Sequence, residues 1–277
     1  MKLRSIKVHL FDGMSALTTA WFRARDGDWR AAWNSLGTYV LNMHRLFQNK
    51  FYPGNHVECP CCGWSGYGFL YMDCGKFSVP NAVCPKCRSQ ERHRMMHMFL
   101  TRRPPEFLHT PVPGKVLHFA SEPQIRCFLD ANPNLVTYVT DYISQMVKGV
   151  PRPGFVADIQ HMPLPDNCMD GLFCLHVLEH VPDDSRAIHE LWRVLKKDGQ
   201  AIIIVPFFPD QPTTIEYGAP NSHMFGHVRA YSPHDFKYRL EPFHYEEWFP
   251  ASFLSQEEIN RFQIPSDSQI IYLCRKQ

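Results

Sequence analysis

The sequence predicts an α/β protein whose main domain is a doubly wound, mostly parallel sheet. Three observations carry that expectation. Short, mostly apolar runs (Val116–Ala120, Leu135–Thr140, Gly171–Leu175, Ala201–Val205) alternate with helical periodicities, the pattern of strands buried on both faces. Between the last two runs, Ala187, Leu191, Val194 and Leu195 share one helical face while Arg186, Glu190, Arg193 and Lys197 lie largely off it. Acidic or polar residues stand just after the apolar runs, where open α/β sheets bind ligands. Together these give a Rossmann-like sheet of seven strands, preceded by an N-terminal helical segment and a small cysteine-containing module.

Composition narrows the class. The chain has 277 residues and a net charge of +2, with 15 histidines and 10 cysteines. That balance supplies no basic footprint for nucleic acid, which needs one to neutralise phosphates. No apolar run reaches bilayer length and no signal-peptide core is recognisable, so a cytoplasmic protein with reduced thiols and no membrane partner is expected.

Taken in order, residues 1–55 predict a helical segment in two pieces. Leu17, Ala20, Trp21 and Ala24 share one face, and Trp33, Leu36, Val40, Leu41, His44 and Phe47 form a second stripe, with Asp26-Gly27-Asp28 as the break. Such stripes either pack on a neighbouring domain or form a lid over a pocket.

Residues 56–103 predict a zinc module and a coupling helix. Cys59-Pro60-Cys61-Cys62 and Cys84-Pro85-Lys86-Cys87 have the doubled C-x-x-C spacing of a zinc ribbon. Cys59, Cys62, Cys84 and Cys87 form the favoured ligand set, because Pro then follows the first cysteine of each pair; Cys61 and Cys74 are spare. Four thiolates leave no position for water, so this zinc is structural. A helix follows from Ser89, and its Arg92, His93 and Arg94 either meet an anion or form a solvated first turn. Arg102-Arg103-Pro104-Pro105 ends it and opens a Pro-rich linker to Gly114.

The main domain is expected over 114–277. Strand one is Lys115–Ala120, with Ser121-Glu122-Pro123 at its tip and a helix through Ile125, Phe128 and Leu129. Strand two ends in Asp141, and a short strand three, Phe155–Ala157, ends in Asp158-Ile159. Strand four leads to His176, Glu179 and His180, a helix stopped by Asp198-Gly199, and strand five. A long Pro-rich segment, a helix over 233–240, and strands near 244–248 and 268–274 complete the chain. Asp141 stands where a carboxylate bonds a ribose diol. Asp158 can accept from an adenine amino group, with Ile159 against the ring. Each Asp can equally serve as a helix cap.

These residues resemble a class I S-adenosylmethionine-dependent methyltransferase of the broad methyltransferase type 11 kind. The likeness rests on Val116–Glu122, Asp141, Asp158–Asn167, Asp170, His176–Val181 and Arg193–Gly199. Within that superfamily the chain is similar to a bacterial subgroup with a Cys-Pro-x-Cys-Gly-Trp-x-Gly zinc motif, Leu-His-x-Ala-Pro-Glu at strand one and a late His-Val-Arg-x-Tyr segment. The chain has Leu117-His118-Phe119-Ala120-Ser121-Glu122 and His227-Val228-Arg229-Ala230-Tyr231. It departs from the class in lacking a glycine-rich turn after strand one, so Ala120 and Ser121 must supply the close approach.

The resemblance implies S-adenosyl-L-methionine as cofactor, bound by His118, Ala120, Ser121, Glu122, Asp141, Asp158, Ile159 and Leu175. It implies transfer of the methyl group to a small-molecule or sugar-like acceptor, at oxygen. His176 is the best general base, with Glu179 and His180 beside it. The resemblance leaves open a divalent ion near Glu179 and His180, since some ubiquinone-pathway O-methyltransferases bind one through Glu-x-x-Glu-His at this position; here His176 replaces the first Glu, which ill suits Mg²⁺. His223, His227, Arg229 and Tyr231 are placed by the resemblance in the acceptor pocket. Arg229 suits a carboxylate or phosphate, or an internal salt bridge with Asp235 as partner. Two rivals stand beside this reading: an RNA methyltransferase using the zinc module for recognition, and a zinc-containing binding protein that has lost catalysis.

Overall fold

The computed structural model describes residues 15–52, 54–109, 113–141, 155–221, 224–265 and 269–277. They form two compact units, one running to Arg94 and taking in Asn260–Gln263, the other comprising Met95–Ile259 and Ile264–Gln277.

In the first unit, helix α1 (15–25) turns through Gly27 into α2 (Trp29–Phe51), whose N-cap Asp28 accepts a bond from Ala31 N. Two small antiparallel hairpins follow: β1 (Val57–Cys59) with β2 (Trp64–Gly66), and β3 (Leu70–Asp73) with β4 (Ser78–Val83). Asp73 ties the second hairpin to the helices by accepting from Arg23 at 2.8 Å, Asn34 at 3.0 Å and Ser35 at 2.8 Å. Trp21, Trp29 and Trp33 stay largely exposed and line an apolar hollow of about 580 Å³ between α1 and α2. Helix α3 (Glu91–Arg102) starts beyond the second cysteine pair.

Arg94 corrects one expectation. It is neither solvated nor offered to an anion: it is fully buried and donates to five backbone carbonyls, of Asn81, Ala82, Ser89, Phe262 and Gln263. Its guanidinium also lies 4.1 Å from the Phe69 ring centroid. A planar ion with five donors suits a cluster of carbonyls that would otherwise be buried unpaired.

The second unit is the predicted α/β sheet. Its seven strands are β5 (Gly114–Phe119), β6 (Leu135–Asp141), β7 (Phe155–Val156), β8 (Met169–Leu175), β9 (Leu195–Ile204), β12 (His244–Trp248) and β13 (Ile271–Arg275). Their order is β12-β13-β9-β8-β5-β6-β7, parallel from β9 to β7, with β13 antiparallel to β9 and β12 antiparallel to β13. Helices α4 (Pro123–Asp130), α5 (Asp184–Val194) and α6 (Gln256–Phe262) and a hairpin of β10 (Ile215–Asn221) with β11 (His227–Ala230) complete the elements. Leu117, Leu172, Ile188, Leu191 and Ile203 are wholly buried in the core. From β5 the chain moves outward through β6 and β7, then returns to β8 on the other side. That reversal opens a crevice at the strands' carboxyl ends.

Two boundaries differ from those expected. Helix α5 ends at Val194 and β9 begins at once with buried Leu195, so Asp198-Gly199 lies inside the strand and does not stop the helix. Asp198 adopts φ +62° there, and Asp198 N and Gly199 O pair with Lys276. Burial of Leu195 outweighs the local stop signal. The helix expected over 233–240 is a short 3-10 turn, Phe236–Leu240, set by burial of Phe236 and Leu240. Among the described residues no helix is long and apolar enough to cross a membrane.

His118, in β5, is completely buried, with Nε2 lacking a partner among the described residues. Burial pushes its imidazole down to about 4 from 6.5, against a smaller opposing pull from Glu122. The unfolded chain therefore takes up this proton first as pH falls. Stability should drop between pH 6.5 and 4, by up to about 3 kcal/mol from this group, and level off below. Urea unfolding across that range should show the loss, and a His118→Phe variant should flatten it; an unchanged slope would refute the assignment.

Candidate functional site

The cysteine module is built by paired turns. Cys62 N and Gly63 N donate to Cys59 O, and Arg88 N donates to Cys84 O, folding each C-x-x-C so that both sulfurs face one point. The ligand atoms of Cys59, Cys62, Cys84 and Cys87 lie within 4.8 Å of one another, with Cys59···Cys87 at 3.6 Å and Cys62···Cys84 at 3.8 Å. A tetrahedron with zinc–sulfur bonds of ~2.3 Å has edges of about 3.8 Å, so the donor set fits that ion. Cys61 lies beside Cys59 with its thiol toward His93 O but is not one of the four, and Cys74 is outside the group. Hydrogen bonds from Cys61 and Cys84 hold the Cys59 thiol far below its ordinary value, against its burial.

At the sheet's carboxyl edge, Ala120 follows β5 in a left-handed conformation (φ +45°) and is exposed. This is the different backbone path that the missing glycine-rich turn demanded. Ser121 and Glu122 are half-buried, and Glu122 is the N-cap residue of α4 without making a side-chain cap bond. Asp141 closes β6, paired with Val156; its side chain lies outside the described residues. Asp158 braces its own turn, accepting from Gln160 N at 2.9 Å and Gln160 Nε2 at 3.0 Å. Burial raises its pKa, but those bonds and His161 prevail and keep it below the ordinary value. Ile159 and Leu175 are buried, and His118 lies beneath the tip, within the sheet.

The densest group follows β8. His176 takes φ +54°, its N–H donating to Ile204 O at 2.9 Å, and the chain then makes a 3-10 turn over Leu178–His180. This brings His176 Nδ1 to 3.4 Å from Glu179 Oε1. Burial opposes the charge on Glu179, which is 1% exposed, but the His176 hydrogen bond and the His176 and His180 charges hold its pKa below the usual carboxylate value. A proton on Nδ1 donated to Glu179 would make Nε2 the accepting nitrogen of a neutral ring, and Nε2 is buried without a partner among the described residues. His227, on β11, is buried, with its ring centroid 4.8 Å from that of exposed His180.

Arg229 and Tyr231 correct the expectation of an acceptor pocket. Arg229 is 3% exposed and donates to Leu178 O (2.9 Å), Val181 O (2.5 Å), Pro182 O (2.8 Å) and Glu216 Oε2 (2.9 Å). Its ion-pair partners are Glu216 and Asp184, not Asp235, which accepts from Thr214. Tyr231 is fully buried and donates to Asp184 at 2.7 Å. Both side chains are spent inside the protein, because the Pro182 turn leaves carbonyls that need donors. Of the residues expected in that pocket, only His227 joins the group after β8; His223 lies outside the described residues. Asp184, Glu216 and Arg239 complete the Arg229 network. Local spacing carries no signal of it, since Asp184 and the carbonyls of Leu178, Val181 and Pro182 are far along the chain and Glu216 meets Arg229 only across the hairpin.

Residues 125–203, from α4 through β9, match the family model described as a methyltransferase domain. That match spans less than a third of the chain. It is similar to an uncharacterized methyltransferase, YcgJ, of Bacillus subtilis, with 24% identity over 140 residues, covering 50% of this chain and 51% of that protein. A stretch of 49 residues is 43% identical to the uncharacterized protein MJ0638 of Methanocaldococcus jannaschii, covering 18% of this chain and 21% of that one. The chain thus spans about half the length of the first relative and less of the second. A solved S-adenosylmethionine-dependent methyltransferase of Archaeoglobus fulgidus aligns at TM-score 0.47 and 17% identity, covering 69% of this chain and 96% of that one.

Two outcomes follow from this geometry. Arg229→Met should destabilise the α/β unit by about 3–5 kcal/mol, because two carboxylates and three carbonyls lose one cation; calorimetric unfolding checks this, and a loss under ~1 kcal/mol would contradict the clamp. Cys84→Ser should abolish zinc retention in metal analysis and lower the melting temperature, whereas Cys74→Ser should do neither.

Proposed function

We propose that this protein transfers a methyl group from S-adenosyl-L-methionine to a hydroxyl of a small-molecule or sugar-like acceptor. The observation that carries the reading is a coincidence of place. The methyltransferase match covers residues 125–203, and buried polar atoms without partners among the described residues gather at or just beyond the carboxyl ends of strands within it, at Thr140 Oγ1, His176 Nε2 and Glu179 Oε2, with His118 Nε2 near the end of the adjoining β5, just before the match. Leaving such a group unpaired costs ~1–3 kcal/mol, a cost that a bound polar ligand removes. The half-buried Glu122 and the strand-end Asp141 add acidic groups suited to a nucleoside and an amino-acid moiety.

When bound, the cofactor supplies an electrophilic methyl on a sulfonium. The chain's own part is to hold the acceptor in line and remove its proton. His176 is suited to removing that proton, because Glu179 engages its Nδ1–H, leaving Nε2 to accept while Glu179 stabilises the imidazolium formed. His180 forms the exposed rim of this group. The cysteine module supports a structural zinc, since its four sulfurs leave no open position. A net charge of +2 favours a small acceptor over RNA.

Asp141→Ala should weaken binding of S-adenosylhomocysteine by ~1–3 kcal/mol, the loss expected for hydrogen bonds to a charged group. Calorimetry reads this directly. Unchanged affinity removes Asp141 from the site, and no binding by the unaltered protein removes the reading itself.

A further inference from the structure

We infer that Glu179, His180 and His227 form a second metal site, selective for a divalent transition ion that favours imidazole. One ligand atom from each of the three lies within 4.8 Å of the others, a separation that side-chain shifts of under about 1 Å close onto a single ion. Glu179 and His180 are adjacent on the 3-10 turn after β8, while His227 comes from β11, far along the chain. The rings of His180 and His227 stand at 87° with centroids 4.8 Å apart, so they are not stacked face to face.

Three features point to a cation. Glu179 is 1% exposed and His227 is 8% exposed, yet Glu179 Oε2 and His227 Nδ1 have no hydrogen-bond partner among the described residues. A deeply buried carboxylate with one oxygen open is costly unless a positive group meets it. His176 engages Oε1 and leaves Oε2 free, as an outer hydrogen-bond partner does when it orients a ligating carboxylate. Finally, Arg229 fixes the two halves of the site, since it sits on β11 and donates to the carbonyls of Leu178 and Val181, which flank Glu179 and His180.

Two imidazoles and one carboxylate suit Zn²⁺, Co²⁺, Fe²⁺ or Mn²⁺, and not Mg²⁺ or Ca²⁺, which take oxygen. Three protein ligands leave positions open, so an oxygen of the acceptor can bind there. This deepens the methyl-transfer reading by naming the acceptor's anchor as an oxygen ligand, but the ion's binding does not depend on that reading.

The test uses the full chain with zinc in the cysteine module. Co²⁺ is titrated in, followed by calorimetry and visible absorption, while zinc content is followed by metal analysis. Co²⁺ should bind without displacing zinc and without thiolate charge-transfer bands. His180→Ala, at an exposed position, and His227→Ala should each weaken that binding more than about tenfold with zinc unchanged, and His176→Ala should weaken it about 10–100-fold through Glu179. Absence of Co²⁺ binding, or full affinity in either the His180 or the His227 variant, overturns the proposal. Protein that binds Co²⁺ but not S-adenosylhomocysteine keeps the metal site and sinks methyl transfer; the reverse result sinks the metal site alone.

Discussion

The guanidinium of Arg229 is the contact on which the candidate catalytic edge depends. Nothing in the sheet itself fixes the turn after β8, because Val177 to Pro182 lies beyond the ladder of β8 and β9. Arg229 supplies what the ladder cannot: donors for the carbonyls of Leu178, Val181 and Pro182, and a charge for Glu216 and Asp184. Arg239 reinforces the same two carboxylates, and Tyr231 closes on Asp184. Removed from water, such a network is favourable only when nearly every donor and acceptor is matched. The matching also fixes where His227 stands relative to Glu179.

Arg94 plays the same part in the first unit, with backbone carbonyls from β4, the segment before α3 and the Phe262 turn as its partners. These short hairpins carry little apolar core: Val57, Phe69 and two of the cysteines are its buried members. A module that small needs a staple. Arg94 provides one, and the four converging cysteine sulfurs are placed to provide a second if they hold a metal.

The proposed chemistry lies at one place where this matching fails. His118, Thr140, His176, Glu179 and His227 all carry buried polar atoms without partners among the described residues, and they belong to the parallel strands, the turn after β8 or the hairpin strand β11. The contrast between Arg229, with its donors spent, and His176, with Nε2 open, separates a bracing residue from one able to take part in a reaction.

How much of this could be read from the chain alone follows from the range of the forces involved. The parallel strands were legible in runs such as Gly171–Leu175, and α5 in its apolar face, because burial on both sides of a sheet or one side of a helix imprints a short period. The clustering of Cys59, Cys62, Cys84 and Cys87 was legible because two C-x-x-C pairs recur at fixed local spacing, and that of His176, Glu179 and His180 because they share one turn. What tertiary structure alone decided was the fate of residues whose partners are remote. Arg94 read as a surface or anion-binding cation and Arg229 as a ligand-binding or internally paired one, and only burial showed which carbonyls and carboxylates they satisfy. Asp198-Gly199 read as a helix stop until the Leu195 side chain and Lys276 drew it into a strand. A sequence records local periodicity directly, but the pairing of a buried charge is a property of the folded interior, where desolvation makes every partner count.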